Sequence, residues 1–217
     1  MSQEMLALLI EALWETLYMV AVSAGIATLI GVPLGVILVV TSRGHILQNR
    51  WLNRILGYIA NATRSTPFII LMVAIIPLTR VLAGTSIGTN AAIVPLSIAA
   101  IPFVGRVVES ALREVDYGLI EAAQAMGASP FQIIRRVLLP EAMPSIVLGL
   151  TLAVISLIGY SAMAGAIGGG GLGDLAIRFG YQRFRVDVMI STVVILIALV
   201  QLVQTAGDQV SQRLNKK

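Results

Sequence analysis

Residues 116–140 read DYGLIEAAQAMGASPFQIIRRVLLP. Charge, caps and helix breakers gather here, in a chain that is otherwise apolar. Glu121-Ala122-Ala123 begins a short helical run that stops at Gly127, a residue suited to the left-handed position closing a helix. Ser129 fits an N-cap, Pro130 the first helical position and Gln132 the Gln or Glu place of a capping box, so a second helix starts here and is expected to stop at Pro140. The stretch therefore predicts two helices joined by a tight turn, an elbow on the polar side of a membrane protein.

The rest of the chain makes it a membrane protein. Of 217 residues, 57% are hydrophobic and 12% charged, and the mean hydropathy is +0.90; soluble domains carry about 25% charge. We expect an all-α bundle with a single membrane domain and about five spanning helices, over 17–40, 56–79, 91–104, 145–166 and 188–206, with a polar loop over 105–144. Leu17 to Val40 holds 24 residues without a charged side chain. Within it Ser23, Ala27, Gly31 and Gly35 recur every fourth residue and share one face, which lets another helix approach closely. Pro33 is expected to bend that helix. The second span should begin near Ile55 and carry Arg64 close to an interface. Pro95 and Pro102 in the third leave backbone groups that neighbouring helices or water must satisfy, so that helix should be buried or line a path. Residues 1–16 hold Glu4, Glu11 and Glu15 but no Lys or Arg, and are not expected to be a cleaved signal peptide.

Charge orients the bundle. The segments 1–16, 41–66, 80–90, 105–144, 167–187 and 207–217 carry 0, 4, 1, 4, 3 and 3 Lys and Arg, the last three being Arg213, Lys216 and Lys217. Alternate segments total 11 on one side and 4 on the other. The positive-inside rule places the N-terminus outside, the C-terminus inside and the elbow in the cytoplasm. The net charge of +4 is a matter of topology rather than of nucleic-acid binding.

Catalytic chemistry finds no foothold. There is no cysteine, and the lone His45 has no histidine partner, so neither a nucleophilic triad nor a metal site is expected. No Walker A sequence occurs. Gly168, Gly170 and Gly173 match a dinucleotide-binding fingerprint in spacing alone, beside a span and with no strand before them; the glycine run is read instead as a tight turn or hinge. No pair of acids lies within an apolar span, which argues against an ion-coupled carrier.

What remains is an elbow without chemistry of its own, either a docking element or a plain connection between two spans. Its residues decide between these. Glu121-Ala122-Ala123, three residues, Gly127, nine residues, Val137, one residue, then Leu139-Pro140 resembles the EAA motif of bacterial ABC importer permeases, with Val137 where isoleucine is usual. The short length, the span count and the run from Ser161 through Met163 and Gly165 into Ala-Ile-Gly-Gly-Gly-Gly-Leu-Gly-Asp-Leu are similar to the methionine-importing branch of that family. The resemblance implies a permease subunit that is not itself an enzyme. Two copies form a path for D- and L-methionine across the bacterial inner membrane. Their elbows dock on two separate ATPase subunits, which carry ATP and Mg, and a periplasmic methionine-binding protein delivers substrate. This chain would hold no cofactor. It implies docking through Glu121, Ala122, Ala123, Ala125, Gly127, Ser129 and Pro130, with Val137, Leu139 and Pro140 returning motion to the fourth span. A permease for another small amino acid or an organic anion is the alternative within the family, and a stand-alone channel or secondary transporter the alternative outside it.

Met163 is the bulky flexible side chain in a run of small residues near the outer end of the fourth span, and is a candidate gate where a two-fold axis doubles it; gap filling in the core is its other reading. Arg178, Arg183, Arg185, Asp174 and Asp187 lie on the outer loop, where they either meet the binding protein or are simply solvated.

Overall fold

A computed structural model describes residues 3–215, and among these no strand occurs. Four helices are long and apolar enough to cross a bilayer: Gln3–Val40, Thr89–Arg113, Pro130–Gly165 and Val186–Leu214. We label the elements in chain order as α1 (Gln3–Val40), α2 (Arg50–Ser65), α3 (Phe68–Ala74), α4 (Ile76–Ala83), α5 (Thr89–Arg113), α6 (Tyr117–Ala125), α7 (Pro130–Ile133), α8 (Leu139–Gly165), α9 (Gly171–Leu175) and α10 (Val186–Leu214). Wider π turns at Ile134–Leu138 and Ala176–Tyr181 join α7 to α8 and continue α9.

The small residues of α1 establish the topology. Ser23, Ala27, Gly31 and Gly35 are all buried. A Cβ added to Gly31 would fall 2.7 Å from the Val104 Cβ, and one on Gly35 2.6 Å from the Val108 Cβ. Residue numbers rise together on the two helices, so α1 and α5 run in the same direction. In lipid an acyl chain is as apolar as a neighbouring helix, so this close backbone packing, rather than a hydrophobic drive, holds the pair together. The Ser23 hydroxyl adds a bond to the Ile93 carbonyl (3.4 Å), in the turn that carries Pro95. Two parallel helices require the chain between them to cross back, and α2, α3 and α4 do so. Contacts to α8 and α10 then alternate in direction: Gly149 packs on Val107, Ser145 donates to Glu114 (3.2 Å), Gly207 packs on Thr151, and Ser211 donates to the Pro144 carbonyl (3.0 Å). Four of the five expected spans correspond to long apolar helices, and the second, expected over 56–79, falls on the three shorter helices α2, α3 and α4. Of the long helices α5 is the most buried.

Several expected boundaries move. The outer segment at 1–16 is, over its described residues, the first turns of α1, because Met5, Leu9 and Ala12 share a face and pack on Leu172, Leu175 and Val188. At 38 residues α1 is about 57 Å long, nearly twice a hydrocarbon core of about 30 Å. The second span is not one helix over 56–79. Pro67 drives Thr66 into extended backbone (φ −86°, ψ 124°), ending α2. A second break follows at Ile75, after which Pro77 occupies the first turn of α4. α5 continues past 104 to Arg113, shrinking the polar loop expected over 105–144, because Arg106, Glu109 and Arg113 pair along one face. Pro140 does not stop a helix. The Leu139 N–H reaches back five residues to the Ile134 carbonyl, and this wider turn accommodates a proline that has no N–H to give. One helix therefore runs unbroken for 36 residues from Pro130 to Gly165, longer than the span expected at 145–166. The last span, expected over 188–206, likewise extends to Val186–Leu214. Lys216 and Lys217, counted in the charge balance, lie outside the described residues.

The glycine run makes the outer turn. Gly168, Gly170 and Gly171 have φ of +90°, +78° and +76°. The Glu15 carboxylate accepts the Gly171 N–H (2.6 Å) and Thr16 accepts the Leu172 N–H (2.9 Å), tying the turn to α1.

Candidate coupling elbow and transmembrane path

The elbow is held by three local devices. Asp116 caps α6, its carboxylate accepting the Gly118 N–H at 2.8 Å. Gly127, at φ +78°, closes α6 with the paired bonds of a Schellman motif: Ala128 N–H to the Ala123 carbonyl (3.0 Å) and Gly127 N–H to the Gln124 carbonyl (2.9 Å). Ser129 and Gln132 form a reciprocal capping box, with Ser129 N–H to Gln132 Oε1 at 2.8 Å and Gln132 N–H to Ser129 Oγ at 3.4 Å. Pro130 occupies the first helical position.

One of the alanines does not face outward. Glu121, Ala122 and Ala125 are exposed, but Ala123 is 4% exposed and belongs to the core cluster with Ile120, Ile133 and Leu138. A nine-residue helix lying on a bundle must bury one face, and Ile120 and Ala123, three apart, form it. The outward face instead gains Met126 (82% exposed) and Phe131 (68%), which sequence reading passed over as variable positions of the motif. Glu121 makes no ion pair among the described residues. At the motif's end Val137 and Leu139 are half-buried and Pro140 is exposed, whereas Leu138, an unspecified position of the motif, is fully buried. α-Helical periodicity points instead to Val137, four residues after Ile133; the π turn at Ile134–Leu138 brings Leu138, five residues on, to the inner side.

The elbow is also tied to the end of α1. Tyr117 donates to the Gly44 carbonyl (3.1 Å) and stands edge-on to His45 at 6.4 Å between ring centroids. Desolvation, with repulsion from Arg113 added, holds the His45 imidazole below its ordinary range, so it is neutral at neutral pH.

Above the elbow lies a charge cluster that sequence reading did not single out. Glu109, on α5 and buried, meets Arg106 at 2.6 Å and Arg113 at 2.8 Å. Arg106 also donates to the Gly57 carbonyl (3.0 Å) and Asn61 Oδ1 (2.9 Å), stapling α2 to α5. The i, i+3, i+7 spacing was the available signal.

The side of α2 that packs on α1 and α5 is polar. Asn53 bonds the Leu38 carbonyl and Asn61 bonds Arg106, while Trp51, Ile55, Tyr58 and Ile59 are exposed on the opposite side. Arg64, expected near an interface, stands exposed with its guanidinium 5.8 Å over the Phe103 ring, which lies one turn from Arg106 on α5. Phe68 stacks on Tyr160 at 4.6 Å and 11°. One turn outward, Met163 is 48% exposed on a face of α8 shared with Leu148, Leu152 and Gly159. At the outer end Asp174 pairs with Arg178, and Asp187, in the first turn of α10, with Arg185. Arg183 lies over Phe179 at 4.5 Å. Among the described residues no group of three or more His, Cys, Asp or Glu is placed to hold a metal.

The sequence matches the family described as binding-protein-dependent transport system inner membrane component over residues 31–216. Among its relatives, the probable D-methionine transport system permease protein MetI of Vibrio cholerae is 56% identical over 210 residues, covering 97% of this chain and 93% of that one. The D-methionine transport system permease protein MetI of Escherichia coli K12 is 54% identical over 165 residues, 76% of each chain. Among solved structures, a chain of the inward-facing MetNI methionine ABC transporter, native crystal form, superposes with a TM-score of 0.98 at 50% identity, covering all of both chains. An amino acid ABC transporter crystallised with histidines shares the fold at a TM-score of 0.78 and 21% identity.

Proposed function

We propose that this chain, which belongs to the family of binding-protein-dependent transport system inner membrane components, is the permease subunit of an ATP-driven methionine importer of the bacterial inner membrane and works as a homodimer. Relatives named for D-methionine transport support the substrate. ATP and Mg belong to two partner ATPase subunits, and a periplasmic binding protein delivers methionine.

One observation carries the mechanism: the elbow and the outer part of the path share a single helix from Pro130 to Gly165. The outward face of α6, with Glu121, Ala122, Ala125 and Met126, seats on the ATPase; Gly127, Ser129 and Pro130 keep the elbow's angle. Val137, Leu139 and Pro140 pass the movement into α8. Gly149, where α8 packs on the Val107 side chain of α5, acts as the pivot. Pro130 lies 19 residues below it and Met163 14 above, about 28 and 21 Å. Inward displacement of the elbow therefore swings Met163 outward by about three-quarters as much. ATPase closure at the cytoplasmic end thus opens the far end without a second hinge.

The test is reconstitution. The purified chain in liposomes should move no methionine. With its ATPase and binding protein it should accumulate methionine against a gradient only when ATP is supplied. Uptake by the chain alone would instead establish a channel or carrier. Shortening the gate gives a further expectation. Met163→Ala should leave assembly intact and raise ATP hydrolysed per methionine delivered several-fold. Wild-type coupling in that variant would make Met163 a packing residue.

A further inference from the structure

We propose that the break in the second span is an amino-acid site inside the membrane, with Arg64 as the ligand of the substrate's α-carboxylate. This rests on the methionine reading above and adds to it a place where the substrate is held during passage.

Arg64 lies on the stretch expected to form the second span, where an arginine is expensive and either pairs with an acid or serves a path. Arg64 has no acid partner among the described residues; the ion pairs there join Arg106 and Arg113 to Glu109, Arg178 to Asp174 and Arg185 to Asp187. Its recorded contact is the face of Phe103. It also does not stand on the lipid side of α2, whose apolar residues point there. It borders a cavity of about 200 Å³ lined by Thr63, Arg64, Thr66, Phe68, Phe103 and Tyr160. Ligand pockets for larger small molecules run from about 300 to 1,000 Å³. A recess of this size suits one free amino acid and not a peptide or an oligosaccharide.

Each part of a zwitterion with an apolar side chain has a counterpart here. The guanidinium takes the carboxylate in a two-toothed bond that lysine cannot reproduce. The Thr63 and Thr66 hydroxyls spend their protons on the Ile59 and Ala62 carbonyls (3.1 and 3.2 Å), which leaves their oxygens free to accept from an ammonium. The stacked Phe68–Tyr160 pair offers aromatic carbon to a thioether. Thr66 and Pro67 supply the place by ending α2, so the recess exists because the span is broken. Tyr160 lies three residues, about 4.5 Å, inward of Met163, which puts the recess directly beneath the candidate gate.

The experiment measures methionine uptake per ATP hydrolysed by the reconstituted complex of permease, ATPase and binding protein. Arg64→Gln should lower that ratio at least tenfold while ATP hydrolysis stimulated by the loaded binding protein stays within about twofold of wild type. Arg64→Lys should recover part of the loss. Tyr160→Leu, which keeps the charge and removes the platform, should lower the ratio several-fold, and it carries the test if Arg64→Gln does not assemble. An unchanged ratio in either assembled variant overturns the site. A parallel fall of ATP hydrolysis and uptake also overturns it, since Arg64 would then be structural. Wild-type complex that takes up no methionine would sink the proposed function instead, and is a separate result.

Discussion

Gly127→Val should detach the ATPase. The residue sits at φ +78°, where a side chain is strained whatever space surrounds it, and a Cβ there would meet nothing within 4 Å. The whole effect is therefore backbone conformation. A β-branched residue in this region costs about 1–3 kcal/mol, which at about 1.4 kcal/mol per decade is a roughly 5- to 150-fold loss of elbow in its docking geometry. Relieving the strain means giving up the Ala128-to-Ala123 and Gly127-to-Gln124 bonds and the angle between α6 and α7. Co-purification of ATPase with tagged permease should fall accordingly, while membrane insertion, which depends on the spans, is unchanged. The order Gly, Asn, Ala, Val is expected, because asparagine tolerates left-handed backbone. Equal attachment of the valine and asparagine variants would show that the Schellman turn is not what the partner reads.

Glu109→Ala should be the most destabilising single change in the inner half of the bundle. It leaves two arginines facing each other across a vacated site, with Arg106 largely buried. Breaking a buried pair costs about 3–5 kcal/mol. Arg113 is half-exposed, so water screens its share, and the lower end of that range applies. At roughly 2–4 °C per kcal/mol for a chain of this size, the melting temperature in detergent should drop by about 6–12 °C. Arg106 should then lose its hold on Gly57 and Asn61, so α2 loosens from α5 and hydrogen exchange rises over residues 50–65. Replacing the carboxylate with an amide, Glu109→Gln, should recover only a small part of the loss, because its single carbonyl oxygen accepts from one guanidinium while its NH2 group faces the other. A melting temperature within a degree of wild type for the alanine variant would mean that the cluster is solvated rather than structural.

The features legible in the sequence are local ones. Ser129, Pro130 and Gln132 form the capping box their spacing predicts, and Gly127 takes the left-handed turn. The small-residue stripe of α1 lies where a fourfold spacing places it, on one helix face. Local rules also misled. Pro140 was read as a stop because a proline breaks the α-helical ladder, but a π turn carries the helix past it. Ala123 was grouped with Ala122 and Ala125 by composition, although residues 120 and 123 share the inner face of α6.

The sequence alone determined that the chain is a membrane bundle and where its elbow turns, while the kind of partner came from the resemblance to the EAA motif. The first two follow from hydropathy and from caps whose hydrogen bonds join residues within about five positions of each other. Tertiary structure decided which helices meet. Contacts between residues far apart in the chain, Gly31 with Val104, Gly149 with Val107 and Arg106 with Asn61, show α1 and α5 running parallel, α8 packed on α5 and α2 stapled to α5. Packing of this kind depends on which faces meet, and in lipid a helix meets another through shape rather than through any excess of hydrophobicity that a sequence displays.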